Sequence, residues 1–339
     1  MLVFRKIILF FCASFVLLNL TAASKFGAKY RSGLRKIKAK DFKGAQVELQ
    51  KAYDHAELSS EEVKVLFALA SVNSSLKSFK KTKENLEKIL EIPDLKHSDK
   101  LKVYKRLISC NIRLKNYPEA FSTVNLGLTS AVSDDEKVDF FYERSKVYEK
   151  QKKFATAIKI LQDALDLSNE FSKKWQETQF KIVNVMFKNR QYEKILEVLD
   201  EINIKKINGY PKQMICYYAG QSAWRLRKYI KAAECFELIS DKGASWLCFA
   251  KNNQLGQCWS KLKKYEKAYN CFKRLADNIK LQNYYRANGI LMMAEMRLKQ
   301  KKYREAKILC EKVKKFPKAS ASQVKRAETL LSRIKPKLK

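Results

Sequence analysis

The chain has 339 residues, 46% of them hydrophobic, and a formal net charge of +35 with only two histidines. Nine glycines and five prolines are too few for a strand-and-turn protein, and no alternating apolar run marks a strand. The glycines form no phosphate-cradling loop. His55 and His97 stand isolated in the sequence, with no His-Glu-x-x-His or Cys-x-x-Cys pattern, so no catalytic residue, metal or cofactor is expected.

At the N-terminus, Arg5-Lys6 precede an apolar stretch from Ile7 to Leu20, closed by Thr21-Ala22-Ala23-Ser24. This layout predicts a signal peptide over residues 1–23, cleaved after Ala23, and hence an exported protein, in the periplasm or cell envelope if the source is bacterial. The alternative is an uncleaved membrane anchor over residues 7–23, although a span needs about 20 apolar residues. Beyond this segment lie seven cysteines, an odd number, most of them on apolar stripes. They read as small core residues and not as a disulfide framework.

From there on one pattern recurs eight times. Phe42, Phe79, Tyr117, Phe154, Tyr192, Tyr229, Tyr265 and Tyr303 are spaced by 36 to 38 residues. Three residues after each comes a small or modest side chain (Ala45, Thr82, Ala120, Ala157, Ile195, Ala232, Ala268, Ala306). Four further on stands a larger one (Leu49, Leu86, Val124, Leu161, Leu199, Phe236, Phe272, Cys310). A step of three then four follows one helix face, and a fixed period denotes one supersecondary unit copied along the chain. A second amphipathic stretch precedes each aromatic, so each unit reads as helix, turn, helix. Ser59 with Glu62 and Ser133 with Glu136 have capping-box spacing. The eight aromatics are expected to be buried between paired helices. Residues 319–335, with Val324, Ala327, Leu330, Leu331 and Ile334 on one stripe, predict a lone final helix over the last unit.

The repeat resembles the tetratricopeptide repeat, most closely at Asn116-Tyr117-Pro118-Glu119-Ala120, Lys153-Phe154-Ala155-Thr156-Ala157 and Lys264-Tyr265-Glu266-Lys267-Ala268. The resemblance implies an all-α fold, a right-handed superhelical solenoid of antiparallel helix pairs with a C-terminal capping helix. Its divisions are a signal peptide or short anchor at 1–23, eight repeats at 24–318, and a capping helix with basic tail at 319–339. In this family a small residue late in the first helix lets the second pack closely, as Gly220 and Gly256 would. Ile108 and Val183 take that place in two units, which puts the helix spacing there in question.

Charge is unevenly placed. Residues 202–339 carry 33 basic and nine acidic side chains, whereas residues 134–201 carry 13 and 14. A basic residue stands two places before every aromatic, including Arg190, Arg227, Lys263 and Lys301; four places before, seven of eight are basic, including Lys188, Arg225 and Lys261. At the first of these places the family usually has glycine. Cations there would offset the first helix's dipole by about 0.3–1 kcal/mol each, or form an anion track. Twelve residues before the aromatic stand Tyr30, Phe67, Tyr142, Phe180 and Tyr217, with Lys105, Asn253 and Leu291 interrupting. The resemblance places that slot on the concave groove. Tyr142, Phe180, Tyr217, Lys188, Arg225 and Lys261 are therefore candidate partner-binding residues, and Arg190, Arg227, Lys263 and Lys301 a candidate basic ladder.

The expected function is a non-catalytic, exported protein–protein interaction scaffold that binds a protein or peptide partner in its concave face. The alternative is a binder of an anionic envelope polymer, membrane surface or nucleic acid through the basic C-terminal half. Export would leave nucleic acid little opportunity.

Overall fold

Every repeat aromatic is the first residue of a helix. The computed structural model describes residues 25–241 and 244–338, and it divides into two compact units between Leu167 and Ser168. The first unit holds α1 (25–38), α2 (Phe42–Tyr53), α3 (Ser59–Ser75), α4 (Phe79–Glu91), α5 (His97–Arg113), α6 (Tyr117–Ser130), α7 (Asp134–Lys150) and α8 (Phe154–Asp166). The second holds α9 (Lys173–Lys188), α10 (Tyr192–Glu201), α11 (Gly209–Arg225), α12 (Tyr229–Glu237), α13 (Ser245–Lys261), α14 (Tyr265–Asp277), α15 (Asn283–Lys299), α16 (Tyr303–Lys314) and α17 (Ala321–Ile334). No strand occurs among the described residues. The signal-peptide and anchor expectations fall on residues 1–23, outside the described residues. No described helix is long and apolar enough to cross a membrane.

The turn inside each pair is the same three residues long, and its middle residue is left-handed. Lys40, Lys77, Lys115, Lys152, Arg190, Arg227, Lys263 and Lys301 all have φ between +58° and +63°. The amide of the next residue then reaches the carbonyl five back, as in Lys228 N to Ala223 O at 2.8 Å and Lys264 N to Trp259 O at 2.8 Å. The left-handed residue's own amide bonds three back, as in Arg227 N to Trp224 O at 3.0 Å. This Schellman arrangement satisfies carbonyls that the first helix would otherwise leave free.

Consecutive helices pack against one another within each unit, and first helices also meet first helices, as α5 meets α7, α9 meets α11 and α13 meets α15. The core lies on the expected stripe: Ala45, Leu49, Leu86, Ala120, Val124, Ala157, Leu161, Ala232, Phe236, Ala268 and Phe272 are all buried. The eight aromatics themselves are half-buried, because the first residue of a helix sits at the rim of its packing face. Ser59 is not a cap: α3 starts on it, after Leu58. Ser133 does cap α7, but Glu136 bonds the Val132 amide at 2.8 Å and the His97 ring at 3.2 Å. Those two partners, the amide first, hold the Glu136 carboxyl below its usual range. His97 is therefore not isolated in the fold. A full capping box forms instead at Ser320 and Gln323. The helix it starts, α17, buries Ala327, Leu330 and Ile334 in the cluster of Ala306, Cys310 and Val313, covering the last repeat.

The question of the missing small residue resolves into volume matching at one of the two positions. A Cβ on Gly220 would lie 2.7 Å from the Phe236 ring, and one on Gly256 would lie 2.6 Å from that of Phe272. Where the first helix carries Ile108, the second offers the smaller Val124, and both are fully buried in one cluster. Val183 and Leu199 hold the same two places in the fifth pair, and both are buried. Large thus faces small at Gly220, Gly256 and Ile108, whereas Val183 faces a full leucine with no smaller partner to offset it; both are nonetheless buried, so the packing there stays closed. Gly256→Ala should consequently destabilise, although alanine is normally the better helix former by about 1 kcal/mol. We expect a net loss of about 1–2 kcal/mol by urea denaturation, as for overpacked cores, and most of it should be recovered in Gly256→Ala/Phe272→Leu.

Candidate functional site

The second unit brings five of the sequence-predicted residues to one place. Lys188, Arg190, Arg225, Arg227 and Lys261 line a single cleft of about 950 Å³, together with Phe187, Tyr192, Gln221, Trp224 and Tyr229. The cleft lies along the turns that join α9 to α10 and α11 to α12. Five cations and no carboxylate line it. Arg225 lies over the rings of Phe187 and Tyr192, 5.8 and 5.6 Å from their centroids, an arrangement favourable for a guanidinium. Trp224 meets Tyr229 edge to face at 5.0 Å, and Phe187 meets Tyr192 at 5.7 Å.

The same edge continues past this cleft. Arg227 and Tyr229 also line a second recess with Lys228, Lys231 and Glu234, and Lys301 lines a third with Lys302, Arg304, Glu305 and Lys337. Lys263 occupies the equivalent left-handed position in the turn between them.

Two local rules are broken here. A non-glycine residue in the left-handed region costs about 1–2 kcal/mol, yet all eight turns carry Lys or Arg there. The residue that follows is the N-cap of the second helix, where Ser, Asp or Asn is worth about 1 kcal/mol over alanine and a cation opposes the dipole. In the first unit Asp41 and Asn116 cap in the usual way, each accepting from a backbone amide. The N-cap of α8 in the first unit is Lys153, and in the second unit the N-caps of α12, α14 and α16 are Lys228, Lys264 and Lys302, all with no side-chain cap bond. Dipole offset at the first helix's end accounts for cations two and four places before the aromatic. It does not account for a lysine at the positive end of the next helix.

The remaining candidates separate from this cleft. Tyr142 is half-buried on α7, in the first unit. Phe180 stacks at 6.4 Å on Tyr218 and meets Tyr210 edge-on at 5.6 Å; Tyr217 meets Trp246 edge-on at 5.9 Å. The slot twelve before the aromatic is thus used largely in packing between first helices. Lys105, in the same slot, is ion-paired with Asp139 at 2.6 Å. What the sequence reading missed is two turns away. Tyr210, Trp246 and Tyr284 each hold the second position of a first helix (α11, α13, α15) and are 57%, 47% and 50% exposed. Their spacing of 36 and 38 residues is legible in the sequence once that position is known. Among the described residues, no group of three His, Cys, Asp or Glu side chains is placed to hold a metal ion.

Residues 138–171 match the family model of the tetratricopeptide repeat. Among solved structures, the C-terminal part of a tetratricopeptide-repeat protein from Cytophaga hutchinsonii aligns with a TM-score of 0.53 at 12% identity, over 77% of this chain and 98% of that one. The apo form of RapI aligns with a TM-score of 0.51 at 17% identity, over 92% and 98% of the two chains. No curated protein matches the sequence. The fold is that of tetratricopeptide-repeat proteins, and residues 138–171 match a repeat of that kind.

The broken rules give a direct test. Lys263→Gly and Lys301→Gly should each raise stability by about 0.5 kcal/mol in urea denaturation, since relief of left-handed strain exceeds glycine's added chain entropy. A loss of stability in both would mean that the lysine side chains hold the turns together.

Proposed function

We propose that this chain is a non-catalytic interaction scaffold that holds a segment of a partner protein on the first-helix face of residues 168–339. The observation that carries this reading is the exposed series Tyr210, Trp246 and Tyr284. Each ring is seated against another aromatic (Phe180, Tyr217 and Tyr285, respectively), which limits its motion while leaving about half its surface in water. Rigid, half-seated aromatics lose little entropy when a partner covers them, and such residues dominate interface energetics. The repeat period itself supports the scaffold reading, because each pair offers the same position to a long ligand.

The proposed place of action is outside the cytoplasm, after export directed by residues 1–23, in the periplasm or envelope if the source is bacterial. Unpaired thiols would ordinarily sit awkwardly in an oxidising compartment. All seven described cysteines are buried, and burial pushes Cys216, Cys235 and Cys258 up to about 12. Thiols held so far from ionisation do not exchange, which makes the core compatible with export.

Two measurements test the two halves. Partner protein captured from the native envelope by the tagged full chain should bind at least about tenfold more weakly to Tyr210→Ala/Trp246→Ala/Tyr284→Ala, as expected for interface hot spots; unchanged affinity would overturn the aromatic face. Mass spectrometry of the mature protein should find Ser24 at the N-terminus. An intact Met1 in a membrane fraction would favour the anchor over residues 7–23, and an intact Met1 in the cytosol would end both versions.

A further inference from the structure

The cleft between the turns of α9–α10 and α11–α12 is a separate site from the aromatic first-helix face. We propose that it binds an acidic, Asp/Glu-rich segment of a partner protein, gripping carboxylates with Arg190, Arg225 and Arg227.

Three observations point there. First, the cation type changes. Lysine outnumbers arginine 55 to 15 in the chain, but three of the five cations lining this cleft are arginine. Of the eight left-handed turn residues, only Arg190 and Arg227 are arginine, and both line it. A guanidinium presents a planar fork that matches a carboxylate with two parallel bonds, which an ammonium cannot do. Second, the charge of four of the five cations is uncompensated. No carboxylate lines the cleft, and Arg190, Arg225, Arg227 and Lys261 make no ion pair among the described residues. Further along the edge, the carboxylates of Glu266 and Glu305 are both held by Arg297, at 2.6 and 2.8 Å. Third, the rings are partly engaged. Arg225 covers one face of Phe187 and one of Tyr192, and Trp224 meets Tyr229 edge to face. That leaves less open ring surface for the stacking that nucleobases use. Oxyanion recognition is the chemistry that the unpaired guanidinium forks favour, and Lys228 on the same turn as Arg227, with Lys263 and Lys264 on the next, extends it along a linear ligand.

The site can be tested with the full mature chain and three labelled probes by fluorescence anisotropy. The probes are a twelve-residue peptide of alternating Glu and Ser, single-stranded dT12, and vesicles containing 30% anionic phospholipid. The acidic peptide should bind with a steep salt dependence and more tightly than dT12 or the vesicles. Arg190→Glu/Arg225→Glu/Arg227→Glu should weaken it at least tenfold with an unchanged melting curve. The conservative Arg190→Lys/Arg225→Lys/Arg227→Lys should also lose affinity, because the fork is lost while the charge stays. As a charge-matched control, Lys273→Glu/Lys312→Glu/Lys325→Glu, away from the cleft, should have little effect, and Tyr210→Ala/Trp246→Ala/Tyr284→Ala should leave peptide binding intact. Tighter binding of dT12 or of vesicles, or equal losses in the cleft and control reversals, would overturn the proposal.

Discussion

Much of this structure follows from one three-residue turn. Its left-handed middle residue lets two amides reach back to the carbonyls that a helix end leaves unpaired, and so reverses the chain in a fixed way. Because the turn is identical in all eight pairs, the residue that follows it always starts the second helix. That helix then always presents its third and seventh following residues to the core. The repeat period rests on that constant turn together with first helices of 16 or 17 residues from α3 onward, while in the rest of each unit a longer connection offsets a shorter second helix. Second helices vary from nine residues in α12 to 14 in α6, and the connections to the next pair run from three residues at 131–133 to seven at 202–208.

A fixed turn also fixes where charge goes. Side chains four, two and one places before the aromatic emerge at the same end of every pair, so any residue type repeated there forms an edge within its unit. The two units use that edge differently. In the first, Asp41 and Asn116 cap their helices, and Lys83 bonds to Glu119 of the next second helix. In the second, lysine is the N-cap at three successive turns, against one turn, at Lys153, in the first. Natural sequences tend to break local rules where function is at stake, and here two rules fail at adjacent residues with the same sign of charge. Solubility alone would be served as well by lysines on the outer faces of the second helices, where neither backbone strain nor a helix dipole opposes them.

The fold was legible in the sequence because it rests on register. One aromatic and two core positions, repeated eight times, outweigh any single weak copy, and each predicted second helix starts at its aromatic. The site was only half legible. The basic residues could be counted, but φ near +60° at a lysine is invisible without the backbone, and glycine's absence from that place reads first as a departure from the family pattern. Cleft aromatics such as Tyr192 and Tyr229 were hidden in plain view, since they were already explained as repeat markers. The groove residues Phe180 and Tyr217 show the converse. Their spacing is regular, but regular spacing in a stack of helices serves packing as readily as binding. Tyr210, Trp246 and Tyr284 follow the same period, and only their exposure separates them from the core.

The two proposed sites make different demands on a partner, and their combination is more selective than either. Aromatic anchors on the first-helix face give affinity that salt hardly touches, whereas the arginine cleft gives a contact that counterions compete for directly. Exposed ion pairs contribute only about 0–1 kcal/mol each, so the cleft would hold an acidic segment weakly on its own. Both sites lie in residues 168–339, and α11 contributes to each, through Tyr210 near its start and Arg225 at its end. A helix of 17 residues rises about 25 Å from end to end at 1.5 Å per residue. A partner chain that seats an aromatic-binding segment at one end would need only a short linker to deliver carboxylates to the other. Linked in that way, the weak cleft gains from a high effective concentration, and a partner lacking either feature loses the advantage of both.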